Sequence, residues 1–143
     1  MVLPEAGELQ PLRLLFVYGT LRAGASQDIH RLAPPARFIG RGRVRGRLYH
    51  LGPYPGLVRG GDAWVQGEVY AITPAQETLL DAIEEVWPQR RGEYLKVEAL
   101  VFPDRLPSAP PFWRCLLYEL HAAHSHGRMQ LVHGDWLLSQ PQA

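Results

Sequence analysis

Between Phe38 and Tyr49 arginine stands at every second position, at 41, 43, 45 and 47, with Gly42, Val44 and Gly46 in between. A helix cannot use that pattern, because at about 100° per residue the arginines would scatter around its axis. An extended strand puts all four on one face and the small or apolar residues on the other. The chain is therefore expected to contain a sheet with one wet face and one packed face.

Other segments repeat the strand signal. Arg13 to Tyr18 is a short apolar run, too short for a helix and stopped by Gly19, so it reads as a buried strand entering a turn. Ala63 to Ile72 alternates, with Trp64, Gln66, Glu68 and Tyr70 on one face, and Glu93 to Phe102 alternates again. Trp113 to Leu120 reads as a further strand, and Leu131 to Leu138 as a closing segment. Pro53-Tyr54-Pro55-Gly56 reads as a turn, since each proline fixes its own φ. Ser26 to Leu32 has room for one or two helical turns before Pro34 and Pro35.

One longer helix is expected. Thr73 is a natural N-cap, Pro74 suits the first helical position, and Gln76 completes a capping box. Pro88 sets its end near Val86 or Trp87. Helical spacing places Leu79, Leu80, Ile83, Val86 and Trp87 on one apolar stripe, with Glu84 at its edge and Asp81 and Glu85 pointing away. At that boundary desolvation would raise the pKa of Glu84 toward neutrality, where a carboxylate can shuttle protons. From periodicity alone, a solvated edge residue paired with an arginine is the simpler reading. Many strands and one such helix, without regular βαβ alternation, indicate an α+β domain.

With 143 residues the chain fits one domain, residues 13–143, behind a flexible leader of residues 1–12. A formal charge of +1 argues against a dedicated binder of nucleic acid or anionic membranes. The arginine strand reads as a solvated or carboxylate-paired face, because no interleaved aromatics offer base stacking. Cys115, the single cysteine, sits in an apolar run and reads as a buried structural thiol. That usage, with no signal-peptide pattern in the first residues and no run long enough to span a bilayer, points to a cytoplasmic protein. His121, His124 and His126 match no closed zinc pattern, so no metal is expected.

In Phe16-Val17-Tyr18-Gly19-Thr20-Leu21-Arg22 a strand delivers the chain into a turn whose successive amides can point at one anion. From spacing alone, an ordinary Gly-Thr turn is the simpler reading. An ordered set of short motifs changes the balance: Tyr18-Gly19-Thr20-Leu21, Tyr54-Pro55, Val65-Gln66-Gly67-Glu68-Val69-Tyr70, Leu80-Asp81-Ala82-Ile83-Glu84, Tyr94-Leu95-Lys96 and Gly134-Asp135-Trp136. In this order, over residues 13 to 138, the chain resembles the gamma-glutamylcyclotransferase-like (AIG2-like) family, which includes gamma-glutamylamine cyclotransferases. It departs from the family pattern at Lys96, where arginine is commoner, and at Glu85, where a glycine often follows the family's glutamate.

The resemblance implies a compact, mixed, partly closed β-barrel with few flanking helices. It implies a gamma-glutamyl cyclotransferase that releases 5-oxoproline and an amine from a small gamma-glutamyl substrate, with no cofactor. Glu84 would be the catalytic acid/base. Tyr18, Gly19, Thr20 and Leu21 would cradle the substrate, and Tyr94 would line the pocket. The alternative is a non-catalytic protein that keeps the fold and binds a small ligand or a partner.

Overall fold

The structure is a computed structural model that describes residues 12–86, 91–104 and 109–139. Almost all of the expected leader, the residues Trp87 and Pro88, and residues 105–108 lie outside the described residues. In chain order the strands are β1 (Arg13–Val17), β2 (Arg37–His50), β3 (Pro55–Ile72), β4 (Tyr94–Pro103), β5 (Trp113–Leu120) and β6 (Met129–Leu131). The helix α1 (Pro74–Ile83) follows β3, and a helical turn, Trp136–Ser139, ends the described chain.

The strands lie in the order β3-β1-β5-β4-β2-β6, and a further pairing between β2 and β3 closes the first five into a barrel. Every pairing is antiparallel except β1 with β5, which run parallel through Leu15 and Leu116. The sheet is thus mixed, as the family resemblance implies. β2 and β4 pair only at Gly42–Pro103 and Arg43–Phe102 before parting.

The arginine alternation appears as expected: Gly42, Val44, Gly46 and Leu48 face inward, and Arg41, Arg43, Arg45 and Arg47 are exposed. β1 is buried on both faces, which is why its sequence is apolar without alternation. Leu15 and Val17 join a cluster with Leu80 of α1, Tyr70, Tyr94, Leu116 and Tyr118. Phe16 and Tyr18 join a second cluster with Val65, Val69, Cys115, Leu117 and Trp136. Cys115 is buried and unpaired, as its surroundings in sequence suggest.

Three local expectations are corrected. The hairpin turn is Leu51 to Tyr54, closed by Leu51 N–H donating to Tyr54 O at 3.0 Å; Pro55 and Gly56 already pair with His50 and Tyr49 in the ladder. The segment Ser26–Leu32 forms only a short 3-10 turn, Ile29–Arg31, capped by Asp28. α1 stops at Ile83, earlier than the proline suggests. Its end is a Schellman cap, with Glu85 N–H donating to Ala82 O at 3.2 Å and Val86 N–H to Asp81 O at 3.0 Å. Glu85 takes the left-handed position of that motif, at φ +56°.

The terminal segment docks through a backbone contact that only glycine permits. Gly134 has φ +64°, and a Cβ there would lie 2.0 Å from the carbonyl oxygen of Trp64. The Gly134 carbonyl accepts from Gln66 N–H at 2.9 Å, which ties this segment to β3. Gly134→Ala should therefore lower stability by about 3 kcal/mol or more, combining left-handed strain with overpacking. Urea denaturation measures this, and an unchanged midpoint would mean that the segment does not pack on β3.

Candidate active site

β1 ends by feeding the turn Tyr18 to Leu21 into the barrel mouth, opposite the C-terminal end of α1. Gly19 is needed there for close approach rather than for an unusual φ: a Cβ would sit 2.6 Å from Pro55 Cγ. The carbonyls of this turn are used internally. Gly19 O accepts from Arg22 N–H at 3.0 Å, Thr20 O from Gln27 N–H at 2.8 Å, and Leu21 O from Ile29 N–H at 2.9 Å. The N–H groups of Gly19, Thr20 and Leu21 meet no acceptor among the described residues. Three adjacent amides without partners, beside a cavity, make a ready anion cradle.

That cavity has a volume of about 360 Å³, and residues 16–21, Tyr54, Glu84, Glu85, Glu93, Tyr94 and Tyr118 are among those lining it. It brings together all six residues singled out in the sequence: Tyr18, Gly19, Thr20, Leu21, Glu84 and Tyr94. The two tyrosine hydroxyls, however, are committed to backbone. Tyr18 OH donates to Tyr118 O at 2.5 Å and accepts from Leu57 N–H at 3.3 Å, while Tyr94 OH donates to Pro55 O at 2.6 Å. Burial pushes both hydroxyls up, far from neutrality. They supply aromatic wall and rigidity, not a titrating group.

Glu84 is the C-cap residue of α1 and is partly buried, whereas Glu85 is exposed and pairs with Arg91 at 3.0 Å. Desolvation raises the Glu84 pKa from 4.5 to about 7, with smaller contributions from the nearby charges of Glu93 and Glu85. Glu93 in turn accepts a hydrogen bond from the Tyr54 hydroxyl, the first cause of the raised Tyr54 pKa.

The expected phase of α1 is wrong in detail. Leu79 and Ile83 are about half exposed, and the buried positions are Gln76, Leu80 and Asp81. The inward row is the four-residue series Gln76, Leu80, Glu84. Asp81 does not point away: it is 7% exposed and accepts from Tyr118 OH at 2.7 Å and from Lys96 Nζ at 2.8 Å. Lys96 also bridges to Glu77 at 2.5 Å. Sequence reasoning missed Asp81, Glu93, Tyr54 and Tyr118. The capping box held the signal for the phase, because Gln76 reaches Pro34 O at 2.9 Å and so must face inward.

A buried ion network holds the turn from behind. Arg22 Nε donates to Glu68 Oε2 at 2.9 Å and Arg22 Nη1 to Asp135 Oδ1 at 2.8 Å. Glu68 Oε1 accepts from Ala23 N–H and from Tyr70 OH, each at 2.9 Å. Among the described residues, no group of three His, Cys, Asp or Glu side chains is arranged to hold a metal ion.

Residues 15–138 match the family described as gamma-glutamyl cyclotransferase, AIG2-like. A human gamma-glutamylaminecyclotransferase is 33% identical over 142 residues, covering 87% of this chain and 88% of its own. A Vibrio cholerae protein with a provisional gamma-glutamylcyclotransferase name is 33% identical over 128 residues, covering 86% and 94%. The crystal structure of an AIG2-like protein from Mus musculus superposes with a TM-score of 0.71 at 23% identity, covering 91% of each chain, which is a likeness of fold.

The raised pKa of Glu84 has a consequence for stability. The folded carboxyl keeps its proton up to about pH 7, while the unfolded one loses it near 4.5. Stability therefore falls as pH rises across that window, and the penalty is complete above it. Glu84→Gln removes the penalty. The variant should match the parent near pH 4 and exceed it by on the order of 2 kcal/mol at pH 8, read from denaturation curves at the two pH values. A variant less stable at pH 8 would contradict the placement of Glu84 in a desolvated wall.

Proposed function

The chain belongs to the gamma-glutamyl cyclotransferase, AIG2-like family, and from that premise we propose that it cyclises a small gamma-glutamyl compound to 5-oxoproline and releases the amine. The observation that carries this reading is one cavity that holds both a carboxyl poised near neutral pH and three amides with no partner among the described residues.

The reaction needs a proton carrier and an oxyanion or carboxylate site. The substrate's α-ammonium must lose a proton before its nitrogen can attack the γ-carbonyl carbon. Ionised Glu84 takes that proton. The new C–N bond closes the five-membered ring, negative charge grows on the carbonyl oxygen, and the old C–N bond breaks. The departing nitrogen takes the proton back from Glu84. The ring nitrogen, left as N+H2 by its attack, then passes its second proton through the same carboxylate to the released amine, which leaves as the ammonium. Protons and charge thus balance with Glu84 as the one carrier. A group with a pKa of about 7 is suited to both halves, since it gives up and accepts a proton at similar cost. The amides of Gly19, Thr20 and Leu21 supply donors for an anionic oxygen of the substrate, fixed in advance by the turn. Tyr18, Tyr54, Tyr94 and Tyr118 wall the cavity and exclude water. The buried, unpaired Cys115 suits a reducing cytoplasm.

A panel of gamma-glutamyl amines and dipeptides, assayed for 5-oxoproline, tests this directly. At least one should be turned over, with kcat/KM falling as pH drops below about 7 and Glu84 protonates. Glu84→Gln should lower kcat by about 10²–10⁴-fold and leave the binding of a non-reacting analogue nearly unchanged. Wild-type protein inert across the panel favours a non-catalytic ligand binder, and near-normal turnover in the folded variant removes Glu84 from the mechanism.

A further inference from the structure

The arginine face has no part in the proposed chemistry, and its electrostatics call for an explanation. Arg41, Arg43, Arg45 and Arg47 project from one side of β2 about 7 Å apart, and none pairs with a carboxylate among the described residues. Like charges in such a row repel, so the arrangement does not serve stability. The guanidiniums of Arg43 and Arg45 are nevertheless held in place. Arg45 lies 3.8 Å and Arg43 4.5 Å from the centroid of the Trp64 ring, and Arg45 Nη1 donates to Asp62 O at 2.6 Å. Positive groups ordered in advance bind an anion with little further loss of entropy.

Beside this row, where β2 and β4 part below Arg43 and Phe102, lies a second cavity of about 390 Å³ that shares no residue with the first. Arg45, Arg59 and Arg114 stand around it, over an apolar floor that includes Leu100 and Phe102. Arg59 is fixed by Glu119 at 3.1 Å and by donation to the Glu98 carbonyl at 2.8 Å. Arg45 and Arg114 meet no carboxylate among the described residues. Among the described residues that line it the one carboxylate is Glu98, which is exposed on β4.

The geometry points to a nucleotide as the ligand of this cavity, and we propose that it is a nucleotide-binding site. Arginines in this number match phosphate, which guanidinium binds in bidentate fashion. A floor of Phe102 and Leu100 matches an aromatic base, and Glu98 supplies an acceptor for a ribose hydroxyl or an exocyclic amine. The volume falls in the range of small-molecule sites. A nucleic-acid strand fits less well, because the guanidiniums of Arg43 and Arg45 already lie over the Trp64 ring, the aromatic on which a base would stack.

Titration of the full chain with ADP, read by calorimetry and by backbone amide shifts, tests the proposal without any assay of turnover. Its failure is therefore separate from failure of the cyclotransferase reading. Binding should saturate below about 1 mM, with shifts at Arg45, Phe102 and Arg114 and not at Gly19, Thr20 and Leu21. Arg45→Gln and Arg114→Gln, both at exposed positions, should each weaken it about tenfold. Pyrophosphate should bind more weakly than ADP, because it leaves the apolar floor empty. The proposal is overturned by absent saturation, by shifts confined to the first cavity, or by variants that bind as the parent does. It is equally overturned if pyrophosphate, a short oligothymidylate or a glutamate-rich peptide binds more tightly than ADP.

Discussion

Arg22 and Glu68 form the contact on which the rest of the architecture turns. Both side chains are almost fully buried, and a charge in such a place is tolerable only when every polar atom is matched. Here the match is made by three separate segments. Arg22 comes from the turn after β1, Glu68 and Tyr70 from β3, and Asp135 from the terminal segment; Ala23 N–H completes the set. Asp135 Oδ1 also caps the last helical turn through Leu137 N–H at 3.0 Å. The turn cannot drift from the sheet without leaving a charge unpaired in the interior. That constraint keeps the carbonyls of Gly19, Thr20 and Leu21 engaged and their amides free.

A second anchor acts from the other side of the cavity. Asp81 joins α1 to β5 through Tyr118 and to β4 through Lys96, and its carbonyl closes the cap that presents Glu84. Tyr118 also receives the Tyr18 hydroxyl on its carbonyl, so the anchor of the helix and the wall of the cradle meet at one residue. Lysine suffices at position 96 because its ammonium is asked to reach two carboxylates as a point charge, not to grip one in bidentate fashion. The glycine common after the family's glutamate has an equally direct explanation. That position is the left-handed residue of a Schellman cap, which glycine occupies without strain and Glu85 occupies with it.

Much of this was legible in the sequence, for identifiable reasons. The arginine alternation fixed a strand and its inward face, because a period of two has no helical equivalent. The capping box fixed the start of α1 at Pro74. The turn at Gly19 and the glutamate at 84 became readable as one cavity only through the ordered family motifs. Asp81 was misjudged because the apolar side chains of Leu79 and Ile83 suggested the wrong stripe, and a buried carboxylate shows itself only with its partners on other strands. Glu93 stands just before β4 and Tyr118 within β5, and no helical or strand period links either to Glu84. The arginine face was read as inert for want of aromatics beside it, yet Trp64 sits opposite Arg45 in the register and lies under its guanidinium.

The central claim is that burial, more than neighbouring charge, holds the carboxyl of Glu84 near neutrality beside an anion cradle. A carbon-detected NMR titration of the glutamate side-chain carboxyls, assigned with Glu84→Gln, reads that property in isolation from substrate and turnover. The account predicts a Glu84 midpoint of about 7, and one that remains well above the ordinary range when the Glu93 charge is removed by Glu93→Gln. A midpoint near 4.5 in the native protein would contradict it, as would a midpoint that falls to that value once the neighbouring charge is gone.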